Sequence, residues 1–180
     1  MQLADYADRY NTIKFERQGG VLEVILHTRG GEAKWGTSAR SLHGELGNAF
    51  LDIARDPENK VVILTGTGRN FIAESDDQDR APEQTLAEMW DRIYDEALGL
   101  LENLLAIPVP VIGAVNGPAY IHAELAVLSD IVLAAEHAEF RPRCRPVRAT
   151  ISVWLRTRQP DRRRARHLPT SHEIPPPSRD

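Results

Sequence analysis

The stretch IPVPVIGAVNGPAYIHAELAVLSDIVLAAE, residues 107–136, decides the fold. Prolines guard the entrance of the apolar run VIGAV, an Asn-Gly-Pro turn stops it, and DIVLAAE resumes a run of the same kind. Between them, IHAELAVLSD has the composition of a short buried helix. Two such runs joined through a helix form a β-α-β unit, and that connection requires parallel strands.

Further upstream, VVILTGTG (61–68) is a continuous apolar run ending in a glycine turn, the pattern of a strand buried on both faces. VLEVILHT (21–28) follows Gly19-Gly20 and reads as a strand with Val21, Val24 and Leu26 apolar. Two helices fill the gaps. In TSARSLHGELGNAFLDIARD, Thr37 or Ser38 is the expected N-cap and Leu42, Leu46, Phe50 and Ile53 return at helical spacing. From Glu83 to Leu105, the positions Leu86, Trp90, Ile93, Ala97, Leu101 and Leu104 mark a long amphipathic helix. RNFIAESDDQDRAP, between the strand and this helix, is polar and loop-like. Strands alternating with helices predict an α/β fold with a largely parallel sheet.

The net charge of −4 conceals a division of the chain. Residues 1–140 hold 11 Lys and Arg against 23 acids, whereas residues 141–180 hold 11 arginines, no lysine and 3 acids. All 12 glycines precede residue 141, and 7 of the 12 prolines follow it. Composition alone predicts disorder for this Arg/Pro-rich tail, with TISVWL its one candidate element. A reading-frame change near codon 141 of a GC-rich gene explains it as well. As a genuine arm, it would meet phosphates or an acidic partner, but Trp154 alone makes no stacking platform, so a nucleic-acid partner is not expected. The chain has no apolar stretch of membrane-spanning length, its N-terminus lacks an apolar signal core so that no secretion signal is expected, and its single cysteine, Cys144, excludes an internal disulfide. A cytoplasmic protein is expected.

With ENKVVILTGTGRNFIAESD and IPVPVIGAVNGPAYIHAELAVLSDIVLAAEHAEF both in view, the chain resembles the crotonase (enoyl-CoA hydratase/isomerase) superfamily over about residues 10–140. Within it, the NGP…H.E segment and the H.EL at His43–Leu46 are similar to the 6-oxocamphor hydrolase group, which cleaves a carbon–carbon bond of a cyclic β-diketone. The resemblance implies a spiral of ββα units, here an incomplete domain over 1–140 followed by the 141–180 tail. It also implies a small-molecule substrate, a cyclic diketone or, alternatively, an acyl-CoA thioester. It implies no cofactor and no metal, and a trimer or hexamer in the intact family.

The implied site lies on two loops, each supplying a backbone N–H to an oxyanion. One contains Ala73 and Glu74 in FIAESD, where ordinary members have Ala-Gly. The other follows Asn116-Gly117, where YIHA replaces a glycine run, and the loss of those glycines argues against bulky thioesters. His122 would stabilise the oxyanion or enolate, with His43 a second polar group of the pocket. Trp35 would wall it, and Glu124 would orient His122 or cap the helix, or else contribute a carboxylate to the pocket. Asp76 would fix the first loop by accepting N–H groups. A base is missing: the group's water-activating histidine and its aspartate should follow the last strand, yet no His, Asp or Glu stands between Phe140 and Gln159. The expected consequence is an enzyme impaired by orders of magnitude, or a non-catalytic remnant binding a partner through its basic tail.

Overall fold

The computed structural model describes residues 1–79 and 85–141, leaving aside the side chains of Met89 and Ile93. The expectations placed on Pro142–Asp180, including TISVWL, lie outside the described residues, as does the start of the long helix at Glu83.

Five strands form the main sheet: β1 (Ile13–Gln18), β2 (Val21–Leu26), β4 (Val61–Gly66), β6 (Val111–Val115) and β7 (Ile131–Ala134). They lie in the order β1-β2-β4-β6-β7. The hairpin β1-β2 is antiparallel through the Gly19-Gly20 turn, where both glycines have positive φ. All other pairings are parallel, with Leu22 opposite Val62, Leu64 opposite Gly113 and Ala114 opposite Leu133. A two-stranded parallel pair, β3 (Lys34–Trp35) and β5 (Glu74–Ser75), sets Lys34 against Glu74 and Trp35 against Ser75. The mixed α/β architecture expected from the sequence is present.

Two crossover helices, α1 (Leu42–Arg55) and α2 (Leu86–Leu105), pack together. The contact is close because Gly47 offers no side chain: a Cβ there would stand 3.4 Å from Leu100 N, and Asn103 donates to the Gly47 carbonyl at 2.9 Å. Leu42, Leu46, Phe50 and Ile53 from α1 join Leu22, Val24, Leu26, Val62 and Leu64 of the sheet in the core. Burying such side chains contributes about 1.5–3 kcal/mol each.

Several local expectations are corrected. Helix α1 begins at Leu42 with Ser41 as its cap residue, not at Thr37 or Ser38. Residues 38–41 instead form a turn in which Ser41 N–H and Oγ donate to the Ser38 carbonyl. The buried face of β2 is Leu22, Val24 and Leu26, whereas Val21 is exposed. In β4, Val62, Leu64 and Gly66 are buried, while Val61, Ile63 and Thr65 are half-buried; only one face is fully covered. The helix after the Asn-Gly turn, α3, is a single turn, Glu124–Val127. Upstream, Ile13–Gln18 and the β3-β5 pair were not anticipated as strands.

Candidate functional site

The site begins where two loops are laced together. Asn116, ending β6, donates from Nδ2 to the carbonyls of Gly66 (3.0 Å) and Gly68 (2.9 Å) and accepts from Gly66 N–H (3.2 Å). Behind it, Gly117 meets the first loop so closely that a Cβ would lie 1.7 Å from the Arg69 carbonyl oxygen. Only glycine fits. The lacing continues: Phe71 N–H donates to Pro118, and Tyr120 and Ile121 N–H both donate to the Ile72 carbonyl. Ala73 on one loop and His122 on the other therefore leave the same junction, each one residue beyond it. Among the described residues, the N–H groups of Ala73, His122 and Ala123 donate to no carbonyl or side chain.

His122 takes a left-handed backbone conformation, φ +50°. Most L-residues avoid it, histidine less so than bulky or branched ones, and such strain is concentrated at functional sites. Its ring stacks on Trp35, centroids 3.8 Å apart and planes inclined by 29°. On its other side Nδ1 meets Glu124 Oε1 at 2.5 Å. Burial pushes the Glu124 carboxyl up, but the hydrogen bond and charge of His122 outweigh it and hold the group below the usual carboxylate range. Glu124 is thus an anion at neutral pH, locked to His122.

Trp35 is buried between two histidines: His43 stands edge-on to it, 5.5 Å between centroids at 73°. His43 projects from the first turn of α1 and is 4% exposed. Its Nε2 lies 2.8 Å from Glu96 Oε2 of α2, and Glu96 is held by Arg92 Nη1 at 2.9 Å, which also donates to the Thr37 carbonyl. The His43–Glu96 approach is close but misaligned, so neither ring nitrogen has a well-directed hydrogen bond among the described residues. Burial lowers the pKa of His43, opposed by the Glu96 charge and reinforced by His122 and Arg92; the imidazole is neutral at pH 7.

Of the residues nominated from the sequence, the fold brings Trp35, His43, His122 and Glu124 into one cluster. Ala73 lies on the adjoining loop, laced to the second through Ile72. Glu74, nominated for the backbone of its loop, has an exposed side chain paired with Lys34 at 2.7 Å. Asp76 closes the first loop, accepting from Gln78 N–H and pairing with Arg29, whose hydrogen bond holds its carboxyl below the usual range. Glu96 and Arg92 were missed. In sequence they form an ordinary i,i+4 pair on a helix, and nothing local reveals that α1 delivers a histidine to them from 53 residues upstream. Among the described residues no cluster of His, Cys, Asp and Glu could hold a metal ion, and no helix is long and apolar enough to cross a membrane.

The chain is similar to several known proteins. A beta-diketone hydrolase from the cyanobacterium Anabaena, solved with (S)-3-oxocyclohexyl acetic acid, is similar at 42% identity and a TM-score of 0.69, over 76% of this chain and 53% of that one. A probable enoyl-CoA hydratase of Rhodobacter capsulatus is 36% identical over 132 residues, 73% of this chain and 49% of the relative. Carnitinyl-CoA dehydratase of Salmonella arizonae is 34% identical over 132 residues, 72% and 48% of the two chains. The chain spans about half the length of these relatives. The family described as enoyl-CoA hydratase/isomerase matches residues 16–144, most of the described chain. The protein belongs to the enoyl-CoA hydratase/isomerase, or crotonase, family.

Proposed function

We propose that the chain carries the site of a hydrolase that cleaves a carbon–carbon bond of a cyclic β-diketone. The observation that carries this reading is the Trp35–His122–Glu124 stack. It places an imidazole where the loop's backbone turns left-handed, at a position suited to glycine, on the loop laced to the one that carries Ala73. There the ring would hold Glu124 through Nδ1 and present Nε2 to a developing enolate oxygen. One such donor is worth about 3–4 kcal/mol in the transition state. Trp35, stacked on the ring, fixes the plane of the imidazole.

The acid bound to the Anabaena hydrolase suggests the probe. Closing its carboxyl carbon back onto the ring carbon beside the ketone gives a bicyclic 1,3-diketone. Incubation with that diketone should yield the keto acid, followed by loss of the diketone absorbance, and His122→Ala should lower the rate about 100- to 1000-fold.

The relatives named for CoA substrates favour a second reading, an enoyl-CoA hydratase or isomerase. Hydration of an enoyl-CoA thioester together with inertness toward the diketone would establish that reading instead. His122 in the second loop, and the Glu74 side chain paired on the rim of the first, count against it.

A further inference from the structure

Hydrolysis of a diketone needs a base for the attacking water, and no His, Asp or Glu stands between Phe140 and Gln159, where the resemblance implies one. A second histidine–carboxylate couple lies on the opposite side of Trp35. Resting on the hydrolase reading above, we propose that His43 is the water-activating base of this chain, with Glu96 its positioning residue and Arg92 the cation that holds Glu96 in place.

The geometry is specific. His43 Nε2 faces Glu96 Oε2 at 2.8 Å, and Glu96 is pinned by Arg92, itself anchored to the Thr37 carbonyl. An Nε2–H directed at a carboxylate leaves the lone pair on Nδ1. That atom is fully buried and has no partner among the described residues. Buried polar atoms are nearly always satisfied, and an orphan marks a place for a water, a ligand or a reacting group. A histidine serving packing alone would be satisfied at both nitrogens. Misalignment at Nε2 does not count against the couple, because such bonds commonly tighten only when substrate binds. Burial keeps the imidazole neutral and able to accept a proton, while Glu96 favours the charged form that follows. The groups facing His43 are Glu96 and Arg92 from α2, His122 from the second loop and Trp35 from β3.

The step balances. A water held at Nδ1 gives up one proton to it, its oxygen bonds to one ring carbonyl carbon, and that carbonyl's π electrons move to oxygen. Collapse of the adduct re-forms the C=O bond and breaks the carbon–carbon bond, whose electron pair passes into the enolate of the second carbonyl, held by His122. The imidazolium of His43 returns the proton to the enolate carbon, leaving one carboxylic acid and one ketone.

The test combines kinetics on the bicyclic 1,3-diketone with nitrogen-15 histidine NMR of the full chain, for wild type, Glu96→Gln and His43→Asn. Glu96→Gln should lower kcat by roughly 10- to 100-fold with KM within twofold. It should also move the acid limb of the pH profile and the His43 titration to lower pH, since a carboxylate that raised the pKa has gone. Neutral His43 should be the Nε2–H tautomer in wild type and a mixture in the variant. A kcat within twofold of wild type, or an unmoved His43 titration, overturns the proposal. Should wild type not turn over the diketone, the hydrolase reading and the base role fail together. The NMR arm then still decides the coupling: an Nδ1–H tautomer, or no response to Glu96→Gln, removes Glu96 as well. If Glu96→Gln does not fold, Glu96→Asp, which withdraws the carboxylate by one methylene, is read the same way.

Discussion

At the scale of single residues, His122 joins backbone and chemistry. Its φ of +50° suits glycine, yet the residue carries the ring that stacks on Trp35. Stability and activity should therefore separate. His122→Gly relieves the left-handed conformation and should be about 1 kcal/mol more stable than His122→Ala, where a Cβ keeps the strain and the ring is gone. Both should lose turnover to the same degree; equal urea midpoints for the two would show that the conformation carries no strain. His43 sets a pH dependence. Burial depresses its pKa below the ordinary 6.5, so the unfolded chain binds more protons than the folded one between the two values. Its contribution is complete above pH 6.5 and is lost as pH falls through the folded value. Melting temperature should decline on acidification from 6.5, and His43→Leu should flatten that part of the curve. Glu124, also depressed, contributes above 4.5 and fails at lower pH, so the two windows are distinguishable.

At the scale of elements, α1 shows what a sequence pattern reveals and what it conceals. Its apolar stripe was legible because Leu42, Leu46, Phe50 and Ile53 follow the helical period. Its second stripe was not. Glu45 and Asp52, on one side of the helix, and Asp56 at its C-cap are buried carboxylates, and each anchors the N-terminal segment. Glu45 accepts from Asn11 N and Nδ2 and from Thr12 N and Oγ1. Asp52 takes Arg9 and the Tyr10 hydroxyl, and Asp56 takes Arg17 and the Tyr6 hydroxyl. Acids on a helix read as solvated until their partners are placed in space. The same limit hid Glu96. Strands β2, β4, β6 and β7 were legible as apolar runs, whereas IKFERQ, alternating and half polar, offers too little contrast to be told from a loop. Truncating Glu45 to Ala strands several buried donors at once and should cost about 3 kcal/mol. Urea unfolding measures this, and a loss below about 1 kcal/mol would mean that Asn11 and Thr12 find other acceptors.

For the molecule as a whole, the uncovered surface matters most. At the end of the sheet all four residues of β7 are exposed, Leu133 to 59%. Of the α2 stripe read from the sequence, Leu86 and Trp90 are exposed, Ala97 and Leu101 half-buried and Leu104 buried. Amphipathic periodicity says which residues want burial, not what buries them. A sheet edge with open hydrogen-bonding groups and apolar side chains pairs readily with another chain, and soluble proteins usually charge or cover such edges. The protein should therefore associate with itself, eluting from gel filtration with a concentration-dependent apparent mass. Leu133→Lys together with Trp90→Glu should shift it toward monomer at the same concentration. Neither residue contributes to the core, so the stability cost should stay within about 0.5 kcal/mol per site. A wild-type chain that is monomeric and monodisperse at high micromolar concentration would show that these faces are already shielded. The site would then be carried by a self-sufficient unit, and its turnover could be measured without regard to assembly.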